Sequence, residues 1–308
     1  MRMMTLTHSV WALVAVCGTA SLAGQPQGNT PANMGYYRQP SLRGDTVVFV
    51  SEGDLWRVST SGGLAARLTT HPGDEYTPQI SPDGKWVAFA AEYEGPSELY
   101  VMPIEGGLPR RLTFDGSGRI GARGWTSDGK IIASTDRLST LPNTQLFTVD
   151  PMTGARALLP LEQAADGTFG EGATLYFVRI PFNGSHTKRY KGGTIEQGWR
   201  WDGQEGTEAV NLTADFEGTS RRPMWWQGRV YFVSDRDGYM NIWSFDANGK
   251  DLRQHTKNTV YDMAGPNMDA GRIVYQLGPD LRLVDLASGK DTLLEITLSS
   301  DLDQMREK

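Results

Sequence analysis

Short apolar runs separated by turn residues recur along almost the whole chain. Residues 76–114 show the pattern best, with the apolar runs WVAFAA (86–91) and SELYVMPI (97–104) between Pro-Asp-Gly at 82–84 and Gly-Gly at 106–107. Glycine supplies the positive φ angle that a tight hairpin turn requires, and β-branched and aromatic residues favour strands. The pattern predicts four short antiparallel strands in this segment, which is the content of one propeller blade.

The same unit occurs six times, and each copy ends in a short motif of the Leu-Thr type. The motif reads ARLTT (66–70), RRLTF (110–114), VNLTA (210–214) and RQHTK (253–257), with degenerate versions in the third and sixth units. Its third residue falls at Leu68, Leu112, Leu158, Leu212, His255 and Leu294, at intervals of 44, 46, 54, 43 and 39 residues. Repeats of about 40–45 residues with four strands each are typical of β-propellers. We therefore expect an all-β fold, a six-bladed β-propeller with four antiparallel strands per blade.

Closure of the ring can also be predicted from the repeat. Each unit carries its own four strands from about Gln39 to about Ile296, which leaves no terminal strand to complete a shared blade. We therefore expect a ring closed without a swapped strand, in which blades one and six are held together by packing.

The first residues have the features of a secretory signal peptide. Arg2 is followed by an apolar run at residues 9–20 and by Ser21-Leu22-Ala23, which places small residues at a cleavage site. The apolar run is shorter than the roughly 20 residues of a membrane-spanning helix. We expect a signal peptide over residues 1–23, a flexible linker over 24–35, the propeller over 36–297 and a C-terminal linker stub over 298–308. The expected location is periplasmic or secreted.

Composition narrows the partners and the chemistry. The chain of 308 residues has a formal net charge of −6, and loss of residues 1–23 would remove Arg2 and Cys17, leaving a net charge of −7 and no cysteine. Disulfides and thiol chemistry are then excluded from the mature chain. A net negative protein has no overall field that attracts nucleic acid. We expect no nucleic-acid partner, and no membrane insertion after signal cleavage.

Two glycine-containing motifs suggest phosphate binding, but their context does not support it. GSGRIG (116–121) and GWTSDGKI (124–131) both lie among predicted strands, whereas phosphate binding at such loops needs a helix to follow. The chain has no G-x-S-x-G and no H-E-x-x-H motif. We assign no catalytic residue, no metal and no cofactor. The acidic pairs Asp74–Glu75 and Asp235–Asp237 are either calcium ligands at a rim or solvated turn residues.

The fourth unit is longer than its neighbours, and the extra length falls on residues 183–206. Insertions in propellers accumulate in loops on one face, where ligands usually bind. Five residues of this unit are the candidate substrate-binding set: Lys188, Arg189, Tyr190, Lys191 and Trp199. The cations could hold a peptide carboxylate or an acidic surface. The alternative is a solvated hairpin with Trp199 packed beneath it.

The repeat resembles known families. Residues 80–113 resemble the TolB-type propeller repeat, which many periplasmic propellers share. Residues 231–256 and 186–199 resemble blades five and four of the N-terminal six-bladed propeller of tricorn-type serine proteases and their bacterial homologues. The resemblance covers about residues 34–303, and LSSDLDQMR (298–306) is similar to the linker into the next module of those proteins.

This resemblance implies a role in proteolysis but assigns no catalytic residue to this chain. Tricorn-like peptidases continue into a second propeller, a PDZ domain and a serine peptidase core, and no position here matches their catalytic motifs. The resemblance implies a non-catalytic module that binds or gates peptide substrates and mediates assembly, with peptides or unfolded segments and other peptidase domains or protomers as partners. A stand-alone TolB-like periplasmic interaction scaffold is the alternative, and an independent propeller hydrolase is a further one.

Overall fold

The computed structural model describes residues 35–116, 118–139, 143–180 and 190–300. All regular elements in these segments are β-strands. No helix long and apolar enough to cross a membrane lies in these segments.

Six four-stranded antiparallel sheets follow one another along the chain, and one further strand comes after them. The first three blades contain β1 (Arg38–Arg43), β2 (Thr46–Ser51), β3 (Asp54–Ser59), β4 (Gly62–Arg67), β5 (Glu75–Ile80), β6 (Trp86–Ala91), β7 (Glu98–Pro103), β8 (Arg110–Arg111), β9 (Gly121–Trp125), β10 (Ile131–Thr135), β11 (Gln145–Val149) and β12 (Arg156–Leu158). The last three contain β13 (Asp166–Phe169), β14 (Leu175–Val178), β15 (Gly198–Trp201), β16 (Val210–Asn211), β17 (Ser220–Trp226), β18 (Arg229–Ser234), β19 (Asn241–Asp246), β20 (Arg253–Gln254), β21 (Met263–Asp269), β22 (Arg272–Leu277), β23 (Asp280–Asp285) and β24 (Asp291–Leu293). The final strand is β25 (Ile296–Leu298). The prediction of a six-bladed propeller with four antiparallel strands per blade is confirmed.

The hydrophobic core consists of six clusters, one at each junction between neighbouring blades. The cluster between blades one and two, for example, packs Val48 and Leu55 of blade one against Phe89 and Met102 of blade two. The equivalent cluster between blades six and one includes Val274 and Phe49. Because the middle strands of a blade are covered on both faces, they read as continuous apolar runs such as WVAFAA in β6. Packing between blades thus holds the ring together.

The Leu-Thr motif ends each outer strand with the same hydrogen bond. The residue at its leucine position donates a backbone N–H to the carbonyl of the third strand, in the pairs Leu68–Leu55, Leu112–Leu99, Leu159–Leu146, Leu212–Gly198, His255–Ile242 and Leu294–Leu281. In the third blade the repeat position is therefore Leu159 and not Leu158. In four blades the threonine that follows is buried, and its hydroxyl accepts an N–H from the third strand, as Thr113 does from Leu99 at 2.9 Å. The motif satisfies backbone donors where the outer strand is too short to do so.

Every blade is built from its own stretch of chain, which confirms a ring without a swapped strand. Closure nevertheless uses a strand that the repeat did not predict, because β25 pairs in parallel with β4 and gives blade one a fifth strand. The Tyr37 hydroxyl donates to the Ile296 carbonyl at 3.0 Å. We call β25 and these contacts the clasp.

Glycine permits the close approach of the clasp to blade one. A Cβ atom on Gly62 would lie 2.5 Å from the Glu295 carbonyl oxygen, and the φ angle of Gly62 is +78°, which other residues rarely adopt. The next residue, Gly63, donates its N–H to that same carbonyl at 2.8 Å. The clasp also covers an exposed edge, since β4 has six residues whereas the outer strands of the other blades have two or three. Short outer strands leave little edge for unwanted pairing.

Candidate functional site

The six inner strands, β1, β5, β9, β13, β17 and β21, surround a central channel that contains two cavities. The wide cavity has a volume of about 570 Å³, and its lining includes Arg38, Ser134, Glu196 and Gln276. The narrow cavity has a volume of about 190 Å³, and its lining includes Trp125, Trp225 and Asn267. The wide cavity has the size of a typical ligand site, and converging polar groups such as these fix the orientation of a bound ligand.

Five inner strands have a β-bulge at the channel: β1, β5, β9, β17 and β21. In all of them except β9, a residue with positive φ precedes a proline: Gln39 (φ +49°), Thr77 (+50°), Arg222 (+56°) and Gly265 (+51°), followed by Pro40, Pro78, Pro223 and Pro266. A bulge bends its strand and redirects the side chain of the extra residue. A residue other than glycine at positive φ costs on the order of 1 kcal/mol or more and is enriched at functional sites. Sequence reasoning missed this site, although the repeated Xaa-Pro pair was a readable signal for it.

The wide cavity is lined by more positive than negative side chains. Its positively charged residues are Arg38, Arg119, Arg123, Arg221 and Arg222. Its negatively charged residues are Asp166 and Glu196. Arg123 Nε donates to Ser134 Oγ at 2.8 Å. Burial, and then the neighbouring Arg222, lower the pKa of Arg123 to about 10. Within the described segments no carboxylate pairs with Arg123, so its guanidinium nitrogens can still bind an anion.

The two cavities meet at four residues that line both of them, Arg123, Asp166, Arg222 and Pro266, which we call the waist. Arg222 Nη1 and Asp166 Oδ2 are 3.2 Å apart and join blades five and four. A second ion pair lies nearby in the wide cavity, where Arg221 Nη1 is 3.3 Å from Glu196 Oε2. Burial raises the pKa of Glu196, and Arg221 opposes that shift.

On the other side of the channel, hydrogen bonds to backbone groups connect neighbouring inner strands. Side-chain oxygens of one inner strand accept backbone N–H groups of the next, in the pairs Asn267–Leu42 (2.8 Å), Gln39–Thr77 (2.7 Å), Ser41–Ile80 (2.9 Å) and Thr77–Ala122 (3.2 Å). These bonds connect blades six, one, two and three in sequence. Buried bonds to backbone groups are costly to break. This arc of the channel is thus fixed by backbone contacts, whereas the waist is spanned by an ion pair between side chains.

Of the five candidate residues of blade four, the structure describes Tyr190, Lys191 and Trp199. Lys188 and Arg189 lie outside the described residues. The Tyr190 hydroxyl accepts a hydrogen bond from Thr194 at 3.1 Å, and Lys191, which is exposed, pairs with Glu217 at 3.3 Å. Trp199 is half-buried in β15 and packs against the core between blades three and four. A role of these residues in substrate binding stays a prediction.

One serine and one histidine share a hydrogen bond, but their surroundings are structural. Ser244 Oγ is 2.8 Å from His255 Nε2, and Ser244 is fully buried and also accepts a hydrogen bond from Arg229 Nε at 3.1 Å. A nucleophile must reach a substrate, which this serine does not. Among the residues that the structure describes, no three His, Cys, Asp or Glu side chains are close enough to hold a metal ion. Asp235 accepts the Thr219 N–H of the loop before β17, and Asp237 accepts hydrogen bonds from Asn241 across the turn between β18 and β19, so both hold local backbone in place.

Comparison with known proteins relates the chain to one family. Residues 34–290 match the family described as the tricorn protease N-terminal beta propeller domain. Tricorn protease homolog 1 of Streptomyces coelicolor is 33% identical over 270 residues, which cover 87% of this chain and 25% of that protein. A tricorn-like protease N-terminal subunit of Sulfurisphaera tokodaii is 29% identical over 169 residues, which cover 52% of this chain and 83% of that protein.

Solved structures agree with this relationship. The crystal structure of the tricorn protease superposes with a TM-score of 0.76 at 27% sequence identity, over 86% of this chain and 26% of that chain. The present chain therefore spans about a quarter of the length of Streptomyces homolog 1 and of the crystallised protease.

Proposed function

This chain belongs to the tricorn protease N-terminal β-propeller family, and from that premise we propose that it is the non-catalytic propeller module of a tricorn-like serine peptidase. In this role its channel binds peptides and controls their passage, and other peptidase domains or subunits supply the catalytic residues. The name of the Sulfurisphaera relative, an N-terminal subunit, supports a partnership of this kind between separate chains. The candidate signal peptide at residues 1–23 supports a periplasmic or secreted location.

The observation that carries the proposal is the set of arginines in the wide cavity. Five guanidinium groups face a space with two carboxylates, inside a chain whose formal net charge is −6. Every peptide with a free C-terminus carries a carboxylate, and guanidinium groups bind carboxylates with two parallel hydrogen bonds. A local positive channel in an acidic protein attracts such ligands selectively.

Replacement of Arg123 by Gln tests this proposal. We expect the wild-type protein to bind fluorescein-labelled tri-alanine more tightly than its C-terminal amide, because Arg123 has nitrogens free to bind the carboxylate. The variant is expected to lose about tenfold in affinity for the free acid and little for the amide. Fluorescence anisotropy measures the dissociation constants of the free acid and of the amide. The control is Arg253→Gln, whose side chain is 58% exposed on the outer strand of blade five. Equal binding of acid and amide by the wild-type protein would contradict the proposal and favour a scaffold that acts alone.

The loop of blade four is a second candidate contact for the same ligands. We expect Lys188→Glu with Arg189→Glu to weaken the binding of acidic or carboxylate-ended peptides several-fold without lowering the melting temperature, because two attractive charges become repulsive. Titration with the same labelled peptides, alongside a thermal melt, measures both effects. Unchanged affinity would leave this loop a solvated hairpin.

A further inference from the structure

The waist of the channel contains a pair of opposite charges that an incoming anion can separate. Arg222 and Asp166 come from different blades, and their side chains are 32% and 16% exposed, so solvent and ligands reach both. Because the pair is only partly buried, separating its charges costs less than separating those of a fully buried pair. If a ligand carboxylate replaces Asp166 as the partner of Arg222, the number of charge-assisted hydrogen bonds stays the same. The ion pair at the waist can therefore be exchanged for a ligand of this chemistry.

Two further features favour replacement of Asp166 by a ligand carboxylate over an ion pair that only blocks the channel. Arg222 has a φ angle of +56° at the bulge of β17, a conformation that directs its side chain into the channel and that ordinary strand geometry would not provide. Arg123 lines the same waist and pairs with no carboxylate in the described segments, so a second cation is present where the anion arrives. One carboxylate beside two guanidinium groups leaves the waist with an excess of positive charge.

We propose that the Arg222–Asp166 ion pair is a gate between the two cavities, and that a peptide carboxylate opens it by replacing Asp166 as the partner of Arg222. This proposal rests on the proposed function, because it requires that peptides enter the channel. In the open state Arg222 and Arg123 hold the ligand carboxylate, and Asp166 is repelled by it. Peptides that present an amide or a cation at their leading end leave the pair intact. The gate thus selects for free carboxylates.

The test compares Asp166→Asn with the same substitution in an ion pair that lies outside the channel. Asparagine keeps the size of the side chain and removes the charge that competes for Arg222. We expect Asp166→Asn to bind labelled tri-alanine about tenfold more tightly than the wild-type protein, with little change for the amide. Asp251→Asn is the control, because Asp251 pairs with Arg229 at 2.8 Å on blade five and lines neither cavity. Asp251→Asn should leave the dissociation constants of both peptides unchanged.

The outcomes separate the gate from the proposed function. Tighter binding of the free acid by Asp166→Asn, with unchanged binding of the amide, supports the gate. If the wild-type protein prefers the free acid and Asp166→Asn changes neither constant, or changes both alike, the gate is wrong and the proposed function stands. If the wild-type protein binds neither peptide, both are wrong. Should Asp166→Asn fail to fold in a thermal melt, Arg222→Gln gives the reverse test: the preference for the free acid should fall by about tenfold, and an unaltered preference would overturn the gate.

Discussion

Leu298→Ala in the clasp is expected to lower the free energy of unfolding by about 3 kcal/mol. Leu298 is 1% exposed and belongs to the core cluster that joins blades six and one. Truncation removes buried methyl groups and leaves a cavity, and the neighbouring backbone pairing with β4 limits how far the site can collapse. Because the clasp supplements packing at the point where the ring closes, the loss affects the junction on which the whole ring depends.

Urea unfolding followed by tryptophan fluorescence measures this effect, and Leu293→Ala provides the matched control. Leu293 lies in β24, only five positions earlier, but is 44% exposed. The same chemical change there is expected to cost less than about 1 kcal/mol. Equal costs for the two variants would show that β25 does not stabilise the ring.

Glu75→Gln is expected to remove a pH dependence of stability on the order of 2 kcal/mol between about pH 5 and pH 8. Glu75 is fully buried at the start of β5. Its carboxyl accepts hydrogen bonds from the Leu55 N–H at 3.1 Å and from the hydroxyls of Thr69 and Tyr93, each at 2.7 Å. Burial raises the pKa of Glu75 to about 7 in spite of these bonds, and the nearby Asp54 adds to the shift.

The direction of this shift fixes the sign of the effect. Because the pKa of Glu75 in the folded state lies above its ordinary value of 4.5, the stabilisation from this group is complete below about pH 4.5 and is lost as the pH rises through about 7. Glutamine has no proton to lose at any of these values. The free energy of unfolding of the variant, minus that of the wild type, should therefore increase from pH 5 to pH 8.

Urea unfolding of both proteins at several pH values measures that difference. Glu94→Gln is the control, because the Glu94 side chain is 73% exposed, and its difference from the wild type should change little with pH. A difference for Glu75→Gln that is as flat as the control would contradict a raised pKa.

Sequence patterns predicted the parts of the fold in which each strand is determined by its own residues. The run WVAFAA at 86–91 coincides with β6, and Gly84 in the predicted turn has a φ angle of +72°. Outer strands such as β8, with two residues, are too short for any periodicity. β25 has no signal of its own, since three residues paired with a distant strand cannot be distinguished from a loop end. Its existence depends on a tertiary contact.

The channel could be predicted only in part, for a different reason. Its arginines come from several blades, and nothing within one blade indicates that Arg38, Arg123 and Arg222 face a common space. The cations of residues 188–191 are adjacent in sequence and therefore conspicuous, whereas the channel arginines are brought together by the ring. The bulges were recoverable, because an Xaa-Pro pair recurs at the same point of four inner strands.

The clasp also determines the order in which this protein can fold. Each blade is a local unit of consecutive hairpins, so blades can form one after another as the chain is synthesised, at a low cost in loop closure. The Tyr37–Ile296 hydrogen bond, in contrast, joins residues 259 positions apart and cannot form before the last strand is available. Until then the six-residue edge of β4 remains open to pairing with other chains. Ring closure is thus expected to be the final and slowest step of folding, and the interval before it is when the chain is most prone to aggregate.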